Sequence, residues 1–326
     1  MKNFFKIILL FILVACEETV DIKIDEIKNK IVINSFVAAD SVITINLSKN
    51  FSITESVNYL TDPSIYDAEV RLFEEDYFIE TLKPLTKGNY LSTYKVKANK
   101  NYKIIAKKDG YDSAWASFYI PEKVNIISVD TIYFESSNSI FGSTGYIDKY
   151  YKVKIVFDDP EGSNYYLINS IFSYNQFSFD PNKQKQELKK VTYIQPLYTD
   201  DPVFGSDYNE QGIVISDELI KGKRTEFLAR LNIYGIDYDT LTVFINLFNI
   251  SKDYYTYIKS ISLYNSNFGN PFAEPVTVYS NIKNGRGIIG AGSYSQVRFD
   301  IPRSVLLKFF NNYYYPEYPP DSMYNK

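Results

Sequence analysis

Four residue patterns in this chain of 326 residues have the types and spacing to do chemistry. One is the only cysteine, Cys16, which ends the run Leu13-Val14-Ala15-Cys16 and carries the one thiol nucleophile of the chain. Another is Gly285-x-Gly287-x-x-Gly290, which matches the dinucleotide fingerprint letter by letter. Clustered carboxylates in Asp158-Asp159-Pro160-Glu161-Gly162 and Asp200-Asp201-Pro202 raise calcium, which takes about six to eight oxygen ligands. The last is Glu274, held between Pro271 and Pro275 in a stiffened segment, where it is either a buried acceptor for turn amides or a ligand contact. Burying a carboxylate without partners is costly, so the acceptor role is the expected one.

Context removes two of these. The fingerprint needs a buried strand before it and a helix after it whose N-terminus faces pyrophosphate. Here Asn284-Gly285 reads as a hairpin-type turn, and no helical run follows Gly292. The glycines are therefore expected to allow positive φ and close backbone approach. The acidic clusters lack the Asp-x-Asp-x-Asp-Gly spacing and are expected to be solvated turns. The chain has no histidine, which excludes Ser-His-Asp and Cys-His machinery and, with one cysteine, Cys/His zinc sites and internal disulfides. Catalysis could then rest only on carboxylates, Lys, Tyr or Ser-Lys pairs, and no pair of acids stands out at a strand end. The expectation is a protein without catalytic residues, metal or cofactor.

Cys16 has a context that fits it. Lys2 and Lys6 precede an apolar run from Ile7 to Ala15 that is far short of the roughly 20 residues needed to span a bilayer, so it reads as a signal peptide. Its Leu-Val-Ala-Cys ending resembles the lipobox of bacterial lipoproteins, in which the sulfur takes a diacylglycerol, cleavage falls before the cysteine and the new amine is acylated. Each buried CH₂ contributes about 0.8 kcal/mol, so two or more chains anchor a domain stably. This gives a lipoprotein signal peptide over 1–15, lipid attachment at Cys16, and an acylated tether over 16–30 in which Glu17-Glu18 directly follow the cysteine. Loss of Lys2 and Lys6 moves the net charge from -4 to -6, which argues against nucleic acid.

The elements that must carry these residues are mostly strands. Period-two patterns at 31–37, 41–48, 68–73, 77–82, 90–96, 102–106 and 114–120, with turns between them, predict an N-terminal immunoglobulin/transthyretin-like β-sandwich over 31–121, with Trp115 as a core anchor. A larger β-rich domain is expected over 122–326. In it, 136–145 reads as a mobile loop and 175–190, with Lys183, Lys185, Lys189 and Lys190, as a solvated loop or edge. The stretches 225–233 and 241–250 read as a pair of strands around a turn. One amphipathic helix is predicted over about 251–265, with Ser251 as N-cap and Tyr254, Tyr257, Ile258, Ile261 and Tyr264 at helical spacing. The 31 tyrosines and 23 phenylalanines suit strands. The alternative, an aromatic surface for sugars or peptides, finds no regular spacing to support it.

After the helix come Asn270-Pro271-Phe272-Ala273-Glu274-Pro275-Val276, Tyr279-Ser280-Asn281-Ile282-Lys283-Asn284-Gly285 and Gly287-Ile288-Ile289-Gly290. With Asp253-Tyr254-Tyr255-x-Tyr257, Ile31-Val32-Ile33-Asn34, Asp67-Ala68-Glu69-Val70 and Gly88-Asn89-Tyr90, this resembles the domain of unknown function 4249 family across nearly the whole mature chain. Within this signature Pro271, Phe272, Glu274, Pro275, Asn281, Asn284, Gly285, Gly287 and Gly290 are expected to be structural. Arg286-Gly287-Ile288-Ile289 departs from the family pattern, which more often has an apolar residue and Phe there. The resemblance implies an outer-membrane lipoprotein of the Bacteroidota type with no established activity, often encoded beside TonB-dependent receptors. The expected function is therefore a lipid-anchored accessory to such a transporter in nutrient capture or uptake, with the receptor as partner. The alternative is a structural subunit of an outer-membrane assembly, secretion or adhesion complex.

Overall fold

The computed structural model describes residues 29–51, 62–138, 146–180, 185–199, 201, 204, 211–233, 240–270 and 272–310. The signal peptide, Cys16, most of the tether and Pro271 lie outside them. In chain order the strands are β1 (Ile31–Ala38), β2 (Val42–Lys49), β3 (Glu69–Glu74), β4 (Tyr77–Thr81), β5 (Lys83–Pro84), β6 (Asn89–Lys95), β7 (Lys100–Lys107) and β8 (Ala114–Ile120). They continue with β9 (Ile126–Asn138), β10 (Tyr146–Asp158), β11 (Tyr165–Asp180), β12 (Lys185–Gln195), β13 (Leu197–Tyr198), β14 (Ile213–Ser216), β15 (Arg224–Leu231) and β16 (Thr240–Ile250). Helix α1 (Lys252–Asn267), β17 (Arg286–Pro302) and α2 (Arg303–Phe310) complete the described chain.

The protein is mainly β. One long sheet runs β12-β11-β16-β17-β1-β2-β6-β5, with β14 also paired to β11, and two four-stranded sheets, β4-β3-β7-β8 and β13-β15-β10-β9, accompany it. Alternation decides which face of the long sheet each side chain serves. Ile31, Ile33 and Val37 of β1, with Ile43, Ile45 and Leu47 of β2, meet Val70, Leu72, Ile104 and Phe118 of the first small sheet. Leu241, Val243, Ile245 and Leu247 of β16 meet Val153, Ile155, Phe227 and Leu231 of the second. Both small sheets cover the same face of the long sheet, because inward residues of β17 feed both cores: Ile289 and Ala291 one, Ile301 the other. The opposite face carries α1, whose Tyr254 and Ile258 pack with Leu167, Val214, Ile250 and Ile288.

The main pairing between the two halves of the chain is made by β17, with an isolated bridge between Trp115 and Lys283 beside it. β17 lies parallel to β1, from Val32↔Arg286 to Ala38↔Gly292, and antiparallel to β16, so a single strand continues the long sheet from one half into the other. Residues 282–291 thereby supply Ile282, Ile289 and Ala291 to the core built by residues 31–120. The connection at 121–126 is tied to the same strands. Pro121 O accepts from Ser293 Oγ at 2.6 Å, Glu122 O from Asn249 Nδ2 at 3.0 Å, and the Ile126 N–H donates to Ser295 Oγ at 3.0 Å.

Several expectations are corrected. Strands 225–233 and 241–250 do not pair: β15 joins β10 and β13, whereas β16 joins β11 and β17. Their apolar faces point into one core from opposite sheets, so they oppose each other across the sandwich instead of lying side by side. The loop at 136–145 is narrower than expected, since β9 runs to Asn138 and β10 begins at Tyr146, while 139–145 lies outside the described residues. The segment 175–190 is an edge, with β11 and β12 in register from Ser170↔Gln195 to Asp180↔Lys185. Lysines on an outermost strand discourage further pairing. Trp115 is no core anchor. It alternates outward on β8 under the Lys103 ammonium at 5.0 Å, while Ala114, Ala116, Phe118 and Ile120 point inward. A second helix, α2, was not expected: its eight residues are too few for a clear period, and Leu306 holds it against the core.

Candidate functional site

The signature residues divide at the end of α1 into an exposed half and a fastened half. Ser251 caps the helix, with Oγ accepting from the Tyr254 N–H at 3.4 Å and from the Ala291 N–H at 3.3 Å, so one hydroxyl serves both helix and sheet. Tyr254 lies over Gly290, where any Cβ would fall inside its ring. Its hydroxyl donates to Gln211 Oε1 at 2.6 Å, and burial pushes the phenol up to about 12. Asn281 substitutes for a neighbouring strand: its Nδ2 donates to Ile289 O and its Oδ1 accepts from the Ile289 N–H, both at 3.0 Å. Asp253 Oδ1 accepts from the Tyr279 hydroxyl at 2.6 Å, and burial followed by that carboxylate raises Tyr279 to about 12.

The glycines let backbones meet. Gly287 has φ +99 and abuts the Ile33 carbonyl of β1, and a Cβ at Gly285 would lie 2.6 Å from the Ile31 carbonyl. Asn284 takes φ 57 in the turn into β17 and donates to Ser113 O at 3.4 Å. The Gly-x-Gly-x-x-Gly run enters a strand, which offers no helix N-terminus for a pyrophosphate. The exposed half differs from expectation. Glu274 and Pro275 are exposed, and Glu274 accepts from Asn267 Nδ2 (3.3 Å) through its backbone carbonyl, not its carboxylate. Phe272 is 94% exposed on a turn held by Asn270, whose Oδ1 accepts from the Phe272 N–H at 3.1 Å.

Beside this fastener, the helix-bearing face of the long sheet displays side chains that sequence reasoning missed. Asn169, Asn246 and Gln296 occupy one row across β11, β16 and β17. Gln296 Nε2 donates to Asn246 Oδ1 at 2.7 Å, Asn246 Nδ2 to Asn169 Oδ1 at 2.9 Å, and Asn169 Nδ2 to Gln211 O at 3.0 Å. The adjacent row stacks Phe248 on Tyr294 at 5.0 Å, and Phe36 joins Phe248 and Tyr254 at 5.9 and 4.8 Å. Arg298 and Asp300 continue β17 on the same face as an exposed ion pair of 3.1 Å. Asn169 and Asn246 are buried in the amide row, so what the face presents outward is the Gln296 amide, the Tyr294 and Phe36 rings and the Arg298–Asp300 pair. The signal for the amide row was present as Asn246 between Ile245 and Leu247, and as Asn169-Ser170 between Ile168 and Ile171.

Several of the described carboxylates have partners within the fold. Asp158 is the exposed partner of Arg224, but Asp159 is buried, so the solvated-turn expectation fails for half of that pair. Asp159 accepts from the Tyr166 hydroxyl and from the Gly222 N–H at 2.7 Å, and burial raises its pKa. Asp217 is buried as well and accepts from the Asn164 N–H at 2.8 Å. Of the Asp200-Asp201-Pro202 run, only Asp201 is among the described residues. Glu80 of β4 crosses to β6, where it accepts from Ser92 Oγ, Thr93 Oγ1 and the Thr93 and Tyr94 N–H groups. Burial pushes Glu80 up, but these four donors outweigh it and hold the carboxyl at about 2. A polar cleft of about 390 Å³ is lined by Asp67, Glu69, Lys107, Lys108, Asp109, Tyr111 and Ser113. Its Lys108 and Asp67 neutralise each other at 2.5 Å, and Glu69 is engaged by Arg71 at 2.6 Å. Among the described residues no group of three or more His, Cys, Asp or Glu could hold a metal ion, and no helix is long and apolar enough to cross a membrane.

A family model described as "Domain of unknown function (DUF4249)" matches residues 17–298, from the residue after Cys16 to near the end of β17. No curated protein matches the chain.

Proposed function

We propose, from the premise that the chain belongs to the DUF4249 family, that it is a non-catalytic, lipid-anchored protein of the outer membrane or cell surface. In this reading it acts as an accessory to a TonB-dependent transporter in nutrient capture or uptake. The observation that carries it is the placement of Cys16. The sole thiol closes Leu13-Val14-Ala15, and the family match starts at the next residue, so the apolar segment and its cysteine lie outside the matched residues. Diacylation there would tether the β-layers at one end, with the charged segment before β1 as spacer.

The structure supports a display role in a second way. The signature block is spent on joining β17, β1 and α1, and Gln296, Tyr294 and Phe36 on the helix-bearing face are exposed to a ligand or receptor, whereas Asn169 and Asn246 beneath them are buried. The carboxylates of Glu80, Asp159 and Asp217 accept hydrogen bonds from neighbouring backbone and side-chain donors. The test is purification from the native envelope in mild detergent. Co-purification with a β-barrel receptor is expected, together with a growth defect limited to one nutrient when the gene is removed. Repeated isolation of a lone monomer, with a general envelope defect, would favour a scaffolding subunit instead.

A further inference from the structure

β11 and β12 outrun the sheet they belong to. The last partner of β11 in β16 is Ser173↔Thr242, yet pairing with β12 continues to Asp180↔Lys185. Among the described residues, those from Tyr174 to Asp180 therefore pair with β12 alone, as a two-stranded ribbon roughly 23 Å long at about 3.3 Å per residue. Such a ribbon is at best marginally stable alone in water.

Its two faces differ. Phe177 stands directly opposite Leu188, and Phe179 follows Phe177 on the same face; they are 68%, 57% and 61% exposed. Of the outer-strand lysines, Lys190 shares the face of Phe177 and Leu188, while Lys185 and Lys189 lie on the other with Glu187, which takes Lys185 at 3.4 Å; Asp180 stands opposite Lys185 in register. Lys189 and Lys190 enter no ion pair among the described residues. The described ribbon thus carries three lysines against two acids, Asp180 and Glu187, a slight positive excess in a chain whose net charge is -4.

We infer that the β11–β12 ribbon is a second membrane contact, independent of Cys16, which inserts Phe177, Phe179 and Leu188 into the interfacial layer of an anionic bilayer while Lys189 and Lys190 meet its phosphate headgroups. Charge selects an anionic occupant, since each lysine near such a surface adds attraction that salt removes. Area selects a bilayer over a protein. A fully buried aromatic covers about 150–250 Å², so three side chains supply a few hundred, well short of the roughly 800 Å² per side of a standard protein interface. Interfacial insertion needs no such minimum, and lysine stems can lie along the apolar layer while their ammonium groups stay wet.

The test uses the full chain carrying Cys16→Ser, so that acylation plays no part and failure here leaves the lipoprotein reading untouched. Flotation with phosphatidylcholine vesicles is compared with vesicles containing phosphatidylglycerol. Binding at least tenfold stronger to the anionic vesicles is expected, falling with added salt. It should drop at least tenfold in Phe177→Ser/Phe179→Ser/Leu188→Ser and in Lys189→Glu/Lys190→Glu, with circular dichroism unchanged. Independently, a Phe177→Trp variant should be quenched by brominated lipid well beyond the parent, whose only tryptophan is Trp115 on β8. Equal binding to both vesicle types, ribbon variants that bind like the parent, or no added quenching would overturn the inference.

Discussion

Replacing Gly290 by alanine should show whether the signature fastens α1 to the long sheet. The backbone at Gly290 has no positive φ, so alanine is allowed there and on that ground alone would stabilise by about 0.4–1 kcal/mol through the unfolded chain. The methyl group, however, would enter the ring of Tyr254, which is pinned by Gln211 at 2.6 Å and by Phe36 at 4.8 Å. Overpacking of this kind costs about 1–3 kcal/mol, so Gly290→Ala should be destabilising by about 1–2. Tyr254→Ala alone should cost about 3 kcal/mol, the low end for a buried aromatic because one side of the ring meets only the helix. In the double variant the ring is gone and the methyl has room, so the glycine replacement becomes neutral or favourable. The cycle should therefore show a coupling of about 2 kcal/mol, read from urea unfolding followed by far-ultraviolet circular dichroism. Additive costs within about 0.5 kcal/mol would show that Tyr254 does not sit on Gly290 and would remove the physical reason given for that glycine.

Further outcomes follow from the buried polar groups. Glu80 is held at about 2 against an ordinary 4.5, so its contribution is present above pH 4.5 and is lost as pH falls through about 2. The full shift would be about 3.4 kcal/mol, which solvent screening reduces to about 1–2, and Glu80→Gln should flatten urea midpoints over that window by this amount. Asp159 has the opposite sign. Its raised pKa adds stability below the ordinary 3.8 that is lost as pH rises through the raised value, so Asp159→Asn should gain on the parent in urea unfolding as pH rises from below 3.8 to neutrality. Asn246→Ala strands Asn169 Oδ1 and Gln296 Nε2 and should cost about 2 kcal/mol in thermal or urea unfolding.

Much of the layering was legible because it is local. β8 spans the residues that period-two alternation marks, 114–120, and Ser251 caps the helix that Tyr254 and Ile258 anchor. Partners were not legible where two strands share a pattern but not a sheet. Thr225–Ile233 and Leu241–Ile250 alternate alike, and only the common core between them reveals that they face each other across the sandwich. The parallel β1–β17 pairing joins residues some 250 positions apart, and nothing in either strand names the other. At the signature, the glycines were readable as sites of close approach, but the ring of Tyr254 that one of them receives was not. Glu274 was misplaced because flanking prolines suggest a buried stiff segment, whereas this one follows the end of a helix and faces outward. The amide row escaped because Asn169, Asn246 and Gln296 become neighbours only through strand register.

The most direct test of the account is the N-terminus of the mature protein. Intact mass and N-terminal peptide mapping of the native protein, with labelled palmitate in the growth medium, should return a chain that begins at an acylated Cys16, and the label should vanish in Cys16→Ser. A mature form that starts anywhere else, or a Cys16 that never takes up the label, would contradict it.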